Sequence, residues 1–226
     1  MAIDLRGNVN NKKQFQGGFR TVEVGAGDES QRWTIHEKLL CKDSAFFRAA
    51  TKEEWTPRED GIIAMPDDDP HAFEIYVQWL YGGKLLVQAR DMDPKKSREL
   101  RLLVESFILG EKLQDRVFQH ATIDSLIACV NDYDQEGTVY FPAGHADRVY
   151  EATPENSPLR SLIVDMFVYH GHSAWVGSNA NTCFLRDVAR KVLDIRGRPA
   201  ASSPIALRTA TTYHHKEEPA EESSGS

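Results

Sequence analysis

A chain of 226 residues, 41% hydrophobic and 27% charged, is long enough to bury a sizeable core without disulfide staples. Its formal net charge of −7 argues against general attraction to nucleic acid or an anionic membrane surface, while leaving room for a local basic patch. Cys41, Cys129 and Cys183 form neither a disulfide framework nor a C-x-x-C zinc motif, and no run approaches the ~20 apolar residues of a bilayer span. With free thiols and no apolar signal core at the start, the expectation is a soluble intracellular protein, cytoplasmic or nuclear.

Residues 1–18 are polar, end in Gly17-Gly18 and read as a flexible arm. From Phe19 the pattern takes period two: RTVEV and RWTIH predict strands, and GAGDES between them predicts the turn of a hairpin. Gly25 and Gly27 belong to that turn. A phosphate cradle would need a third glycine or a Gly-Lys-Ser/Thr entering a helix, which this stretch lacks. Ser44 is placed to cap a helix whose apolar side is Phe46, Phe47 and Ala50, and GIIAM predicts a short strand. The acidic run Asp67–Asp69 invites a metal or paired-carboxylate reading. The stronger reading is a helix start, with Asp69 as cap, Pro70 in the first turn and acids at the positive end of the dipole. The helix that follows carries Phe73, Ile75, Tyr76, Val77, Trp79 and Leu80, apolar nearly all round and therefore predicted central, with Gly82 and Gly83 as its stop.

Beyond the charged connector DMDPKKSREL, Leu100, Leu103, Val104, Phe107 and Ile108 have the spacing of a core-facing helix that Ser97 can cap. A helix over Val117–Val130, with Ile123, Leu126, Ile127 and Val130 on one side, is predicted to fold back on it. NDYDQEGTVYF reads as a loop with a short extended piece. Ser157, Pro158, the stripe Leu159, Leu162, Ile163, Met166 and Phe167, and Gly171 then punctuate another helix. The last helix is predicted to turn Phe184, Leu185, Val188 and Val192 inward and to stop at Gly197, before a Pro/Ser/Glu-rich tail expected to be disordered. Strands and helices mixed early, then helices alone, predict an α+β architecture with a growing helical layer.

Three clusters bear on chemistry. His36 and Cys41 have the residue types of a thiol–imidazole pair, but a nucleophile also needs an imidazole oriented by a third group and an oxyanion hole, so a structural pair in the core is expected. His170, His172 and Cys183 offer zinc-like donors without a fourth ligand, and no metal site is expected. Lys95, Lys96, Arg98 and Arg101 form a basic patch, read as the solvated start of a helix.

The stretch VEVGAGDESQRWTIHEKLLCKDSAFFRAA, followed by GIIAMPDDDPHAFEIYVQWLYGGKL, resembles the BTB/POZ domain, in the form abundant in filamentous fungi. LGEKLQD at Leu109–Asp115 and TPENSPLRSLIVDMFV at Thr153–Val168 are similar to the same group, and the motifs run in order over residues 19–197. Many such domains have an acid at the start of the first strand and Tyr-Thr-Gly after the central helix; here the first acid of that strand is Glu23 and the triplet is Tyr81-Gly82-Gly83. The resemblance implies an α+β BTB/POZ fold, a short mixed sheet with a helical layer, over residues 19–131. It also implies a helical extension over 132–197, between the arm at 1–18 and the tail at 198–226. It implies a non-catalytic protein–protein interaction module without cofactor or metal, acting as substrate adaptor on a cullin-type ubiquitin-ligase scaffold. Its partners would then be proteins, the cullin and a substrate, and neither nucleic acid nor membrane. Other readings are a homodimeric or transcription-associated scaffold and, more remotely, an enzyme using the Cys/His pair. The partner contacts implied are Ile75, Gln78, Tyr81 and Gly83 with the neighbouring Leu113 and Asp115, the alternative for Ile75 and Tyr81 being simple core.

Overall fold

The computed structural model describes residues 15–52, 61–88, 96–135, 143–171, 173, 176 and 180–197. Most of the arm, the second half of the loop and extended piece expected at 131–141, Lys95, His172 and the tail from Arg198 lie outside them.

The sheet has three strands in the order β2-β1-β3, with β1 at Phe19–Val24, β2 at Gln31–His36 and β3 at Ile63–Met65. β1 and β2 pair antiparallel, with Phe19 opposite His36 and Val24 opposite Gln31, as the alternating pattern predicts. β3 joins β1 in parallel, Val22 opposite Ile63 and Val24 opposite Met65, making the sheet mixed. One face buries Val22, Val24, Ile35, Ile63 and Met65. At the turn Gly25 has φ 85°, and a Cβ there would sit 2.9 Å from the ring of Pro70, so both conformation and space favour glycine.

The helices are α1 (Glu37–Leu40), α2 (Ala45–Ala50), α3 (Pro70–Gly82), α4 (Lys96–Leu113), α5 (Arg116–Gln135), α6 (Ala143–Ala152), α7 (Pro158–His170) and α8 (Thr182–Arg196). The chain is therefore mixed α+β, with a small mixed sheet and eight α-helices among the described residues.

Several caps follow their predicted chemistry. The Ser44 hydroxyl accepts from the Phe47 amide at 3.1 Å, the Asp69 carboxylate accepts from the His71 amide at 2.8 Å, and Pro70 opens α3. Gly83 closes α3 in the left-handed region, φ 63°. Ser157 stands at the N-cap of α7 but does not cap it with its side chain. Its hydroxyl instead donates to Glu111 Oε1 at 2.8 Å. α4 begins at Lys96, so Ser97 lies inside the helix rather than at its cap.

Two clusters of buried side chains form the core, and α4 belongs to both. Leu102, Leu109 and Leu113 pack with the sheet, Phe47, Phe73, Tyr76 and Phe118. Leu100, Leu103, Val104 and Phe107 pack with α5–α8, against Leu126, Val149, Leu159, Ile163, Phe167 and Phe184. A long helix with apolar residues on more than one side is suited to this shared position.

Three expectations for the helical half are corrected. The first part of the loop expected at 131–141 is helical, because α5 continues to Gln135. α6 follows it, with Ala146, Val149 and Tyr150 buried at helical spacing. Ile127, expected on the core side of α5, is 43% exposed. Val192, expected inward, is 43% exposed, because the α8 stripe is covered only over its first turns.

Candidate interaction surface

α3 ends at the surface, and its last turn carries Tyr81, 42% exposed. The end of β2 brings His36 to the same place, and the β1–β2 register puts Phe19 directly opposite it. The Phe19 and His36 rings lie 4.4 Å apart, and Phe15 reaches over from the segment before β1. Phe15 stacks near-parallel to Tyr81, with centroids 6.1 Å apart and planes at 11°, and meets His36 edge-on at 5.6 Å. Phe15 and Phe19 remain 47% and 57% exposed, so the group is an aromatic surface and not a closed core.

Polar contacts fix its geometry. The Tyr81 hydroxyl accepts from the His36 backbone N–H at 3.3 Å and lies 2.9 Å from Nδ1. With one proton and two lone pairs, that hydroxyl can accept from the amide and still pair with Nδ1, as donor or acceptor according to the imidazole tautomer. Arg20 bonds Glu37 at 2.9 Å beside it, and the Glu37 amide donates to the Gly18 carbonyl at 3.0 Å, tying the incoming segment to β2.

His36 is thus not part of the core, contrary to the expectation for the His36/Cys41 pair. Its side chain engages Tyr81, whereas the Cys41 sulfur is 3.4 Å from the Thr51 hydroxyl. Burial pushes the Cys41 thiol up, more than the Thr51 hydrogen bond and the nearby arginines hold it down, opposite to what an activated thiolate requires.

The six expected contact residues divide in two. Tyr81 and Gly83 are exposed, and Gln78 is half-buried with its side-chain oxygen enclosed and no hydrogen-bond partner among the described residues. Ile75, Leu113 and Asp115 are buried at 4%, 0% and 0%: Ile75 takes its core alternative, and Leu113 and Asp115 are corrected from surface to interior. The physical reason is clear for Asp115: it caps α5, accepting from the Phe118 amide at 3.0 Å, and takes the Tyr76 hydroxyl at 3.0 Å. Burial first, then the Asp115 charge, drives the Tyr76 phenol far above its ordinary value, so it stays a neutral donor. Leu113 fills the sheet-side core, and its carbonyl accepts from the Ser44 hydroxyl at 2.7 Å. Sequence reasoning passed over Phe15 and Phe19, although an aromatic ring in the outermost pair of the hairpin is a signal for a surface cluster at its open end.

A shallow cleft of about 650 Å³ lies elsewhere, between the start of α2 and the α4–α5 turn, lined by Asp43, Arg48, Glu111, Arg116 and Gln119 among others. Its charges are mixed and partly committed, since Arg48 donates to the carbonyls of Cys41 and Lys42 at 3.0 Å. Among the basic residues expected as a patch, Arg101 faces Asp69 at 3.5 Å. Cys183 is exposed at the first turn of α8, and no group of three or more His, Cys, Asp or Glu side chains among the described residues could hold a metal ion. No helix among them is long and apolar enough to cross a membrane. Comparison with known proteins finds no matching family model and no matching curated protein.

Proposed function

We propose that the chain is a non-catalytic protein-interaction module of BTB/POZ type that docks partners through the Tyr81 surface, as a substrate adaptor on a cullin-type scaffold. The observation that carries this reading is the cluster of Phe15, Phe19, His36 and Tyr81 held at the surface by backbone pairing. Exposed aromatic side chains with one polar handle are the residues that protein interfaces concentrate at their energetic centres. Rigid placement lowers the ordering cost of binding, and here strand register and the Tyr81–His36 hydrogen bonds supply it. The raised Cys41 thiol, bonded to Thr51 rather than His36, supports a reading without covalent catalysis.

The test is a calorimetric titration of the full chain with the N-terminal domain of the BTB-binding cullin. Saturable binding that weakens about thirtyfold or more with Tyr81→Ala, an aromatic anchor being worth at least about 2 kcal/mol, supports the adaptor reading. An absence of binding at tens of micromolar removes the cullin as partner. Because Tyr81 is exposed, the variant is expected to stay folded, which its circular dichroism checks.

A further inference from the structure

α8 carries an apolar stripe that is covered for only part of its length. Phe184 is buried against Tyr150 and Phe167, with ring centroids 5.6 and 5.1 Å away, and Leu185 and Val188 pack on the same core. Helical spacing continues this stripe through Val192 and Ile195, which are 43% and 48% exposed, with Leu193 beside them at 55%. The helix also has a surplus of positive charge: Arg186, Arg190, Lys191 and Arg196 stand against Asp187 and Asp194. Lys191 is paired with Asp165 at 2.7 Å, but Arg186 and Arg190 share the single carboxylate of Asp187, at 3.5 and 3.7 Å, while that carboxylate also accepts from the Tyr150 hydroxyl. The uncovered end of α8 is thus basic and apolar in a protein whose net charge is −7.

We propose that this face is a docking site for the chain's own acidic segment, residues 217–222, with Ile205 and Leu207 supplying the apolar half of the contact. Three observations select that occupant. The segment follows in the chain from Gly197, directly beyond Ile195, so it is tethered beside the face it covers. Glu217, Glu218, Glu221 and Glu222 are complementary in sign to the shared arginines and Arg196. The tether is also long enough. Twenty positions separate Gly197 from Glu217, and a chain of about that length at coil dimensions spans roughly 25 Å, while a 15-residue helix is about 22 Å long, so the acids reach any point on α8. Such a tether gives an effective concentration on the order of 1 mM, enough to populate a contact that would be negligible between separate molecules. Occupied, the contact would withhold the α8 face from other proteins until a more acidic or more apolar competitor displaced it. It is independent of the Tyr81 surface.

The experiment is hydrogen exchange of the α8 amides at residues 190–196 in the full chain. The comparison is with a full-chain variant carrying Glu217→Gln, Glu218→Gln, Glu221→Gln and Glu222→Gln, which leaves α8's own contacts untouched. For a contact with a dissociation constant of about 0.5 mM and an effective concentration of about 1 mM, exchange accelerates about threefold in the variant. The same acceleration is expected in the unaltered chain when salt is raised from about 0.1 M to 1 M, which shortens the Debye length from about 10 to 3 Å. Equal exchange rates in the two proteins would overturn the proposal. So would protection that grows with protein concentration, because a second copy would then be the occupant.

Discussion

The sheet-side and helix-side halves of the molecule are held together by different kinds of contact. On the sheet side, key polar groups close a local element and reach a distant one at once: Ser44 caps α2 and anchors the Leu113 carbonyl, and Asp115 caps α5 and holds Tyr76. On the helix side, local capping is partly given up for long-range ties. Ser157 reaches Glu111 on α4, and Arg160 clamps the α6–α7 connection through the Tyr150 and Thr153 carbonyls while its guanidinium lies 4.4 Å over the Tyr150 ring. A cap that also crosses the core makes the sheet side the more brittle half. A net of partly exposed ties makes the helix side more tolerant of any single loss.

The sharpest way to break that comparison is to cut each core once. Phe73→Ala on the sheet side and Phe107→Ala on the helix side each remove a fully buried ring, and each is expected to cost about 3–5 kcal/mol. Because α4 belongs to both clusters, both variants should still unfold in one cooperative urea transition. A second, separate transition in either variant would show that the halves are energetically independent.

Polar losses should separate the halves more clearly. Asp115→Ala removes a buried cap, about 0.5–2 kcal/mol, and takes the carboxylate acceptor from the enclosed Tyr76 hydroxyl, about 1–3 kcal/mol more. Tyr76→Phe combined with Asp115→Ala should recover part of the second loss, since both partners are then apolar at that contact. Ser157→Ala is expected to cost about 0.5–1.5 kcal/mol, because its hydroxyl makes one bond to Glu111 and does not cap α7. If chemical denaturation ranks Ser157→Ala above Asp115→Ala, the proposed asymmetry is wrong.

What was legible in the sequence divides along the same line. The hairpin, the Ser44 and Asp69 caps, Pro70, the Gly83 stop, the α4 and α7 stripes and the α5 stripe apart from Ile127 follow rules that act within a few residues, and they appear where expected. α6 carries only three buried core residues, Ala146, Val149 and Tyr150, on a short helix, too few for a stripe to stand out in the sequence. Ser157 looked like a cap because nothing local reveals that Glu111, 46 positions earlier, claims its hydroxyl. The Val192 error has the opposite cause: helical period tells which side is apolar but not where the neighbouring helices end. Of the candidate surface, Tyr81 and Gly83 were placed from resemblance, whereas Phe15 and Phe19 became visible only once strand register set Phe19 against His36. Asp115 sits just before α5 in an ordinary capping position, which could have assigned it to the interior rather than to a partner.

Glu111 gives the smallest test, and its sign is informative. It lies on the shared helix α4, facing Ser157 and the Arg160 charge, and burial raises its pKa more than those two groups lower it. A folded-state value above the unfolded one means that the native protein holds this proton more tightly. The associated stability is present below the unfolded value and is lost as pH climbs through the raised one. Glu111→Gln keeps an acceptor for Ser157 and removes the titration. The unaltered protein should therefore fall in stability relative to this variant as pH climbs from the ordinary carboxylate range through the raised value, then run parallel to it. Urea midpoints of the two proteins across that range measure the difference, which solvent screening at a half-exposed carboxylate keeps small. A difference running the other way would mean that Arg160 and Ser157 outweigh desolvation at Glu111. The tie between the two halves would then be a stabilising charge contact rather than a hydrogen bond that offsets the cost of burying an acid.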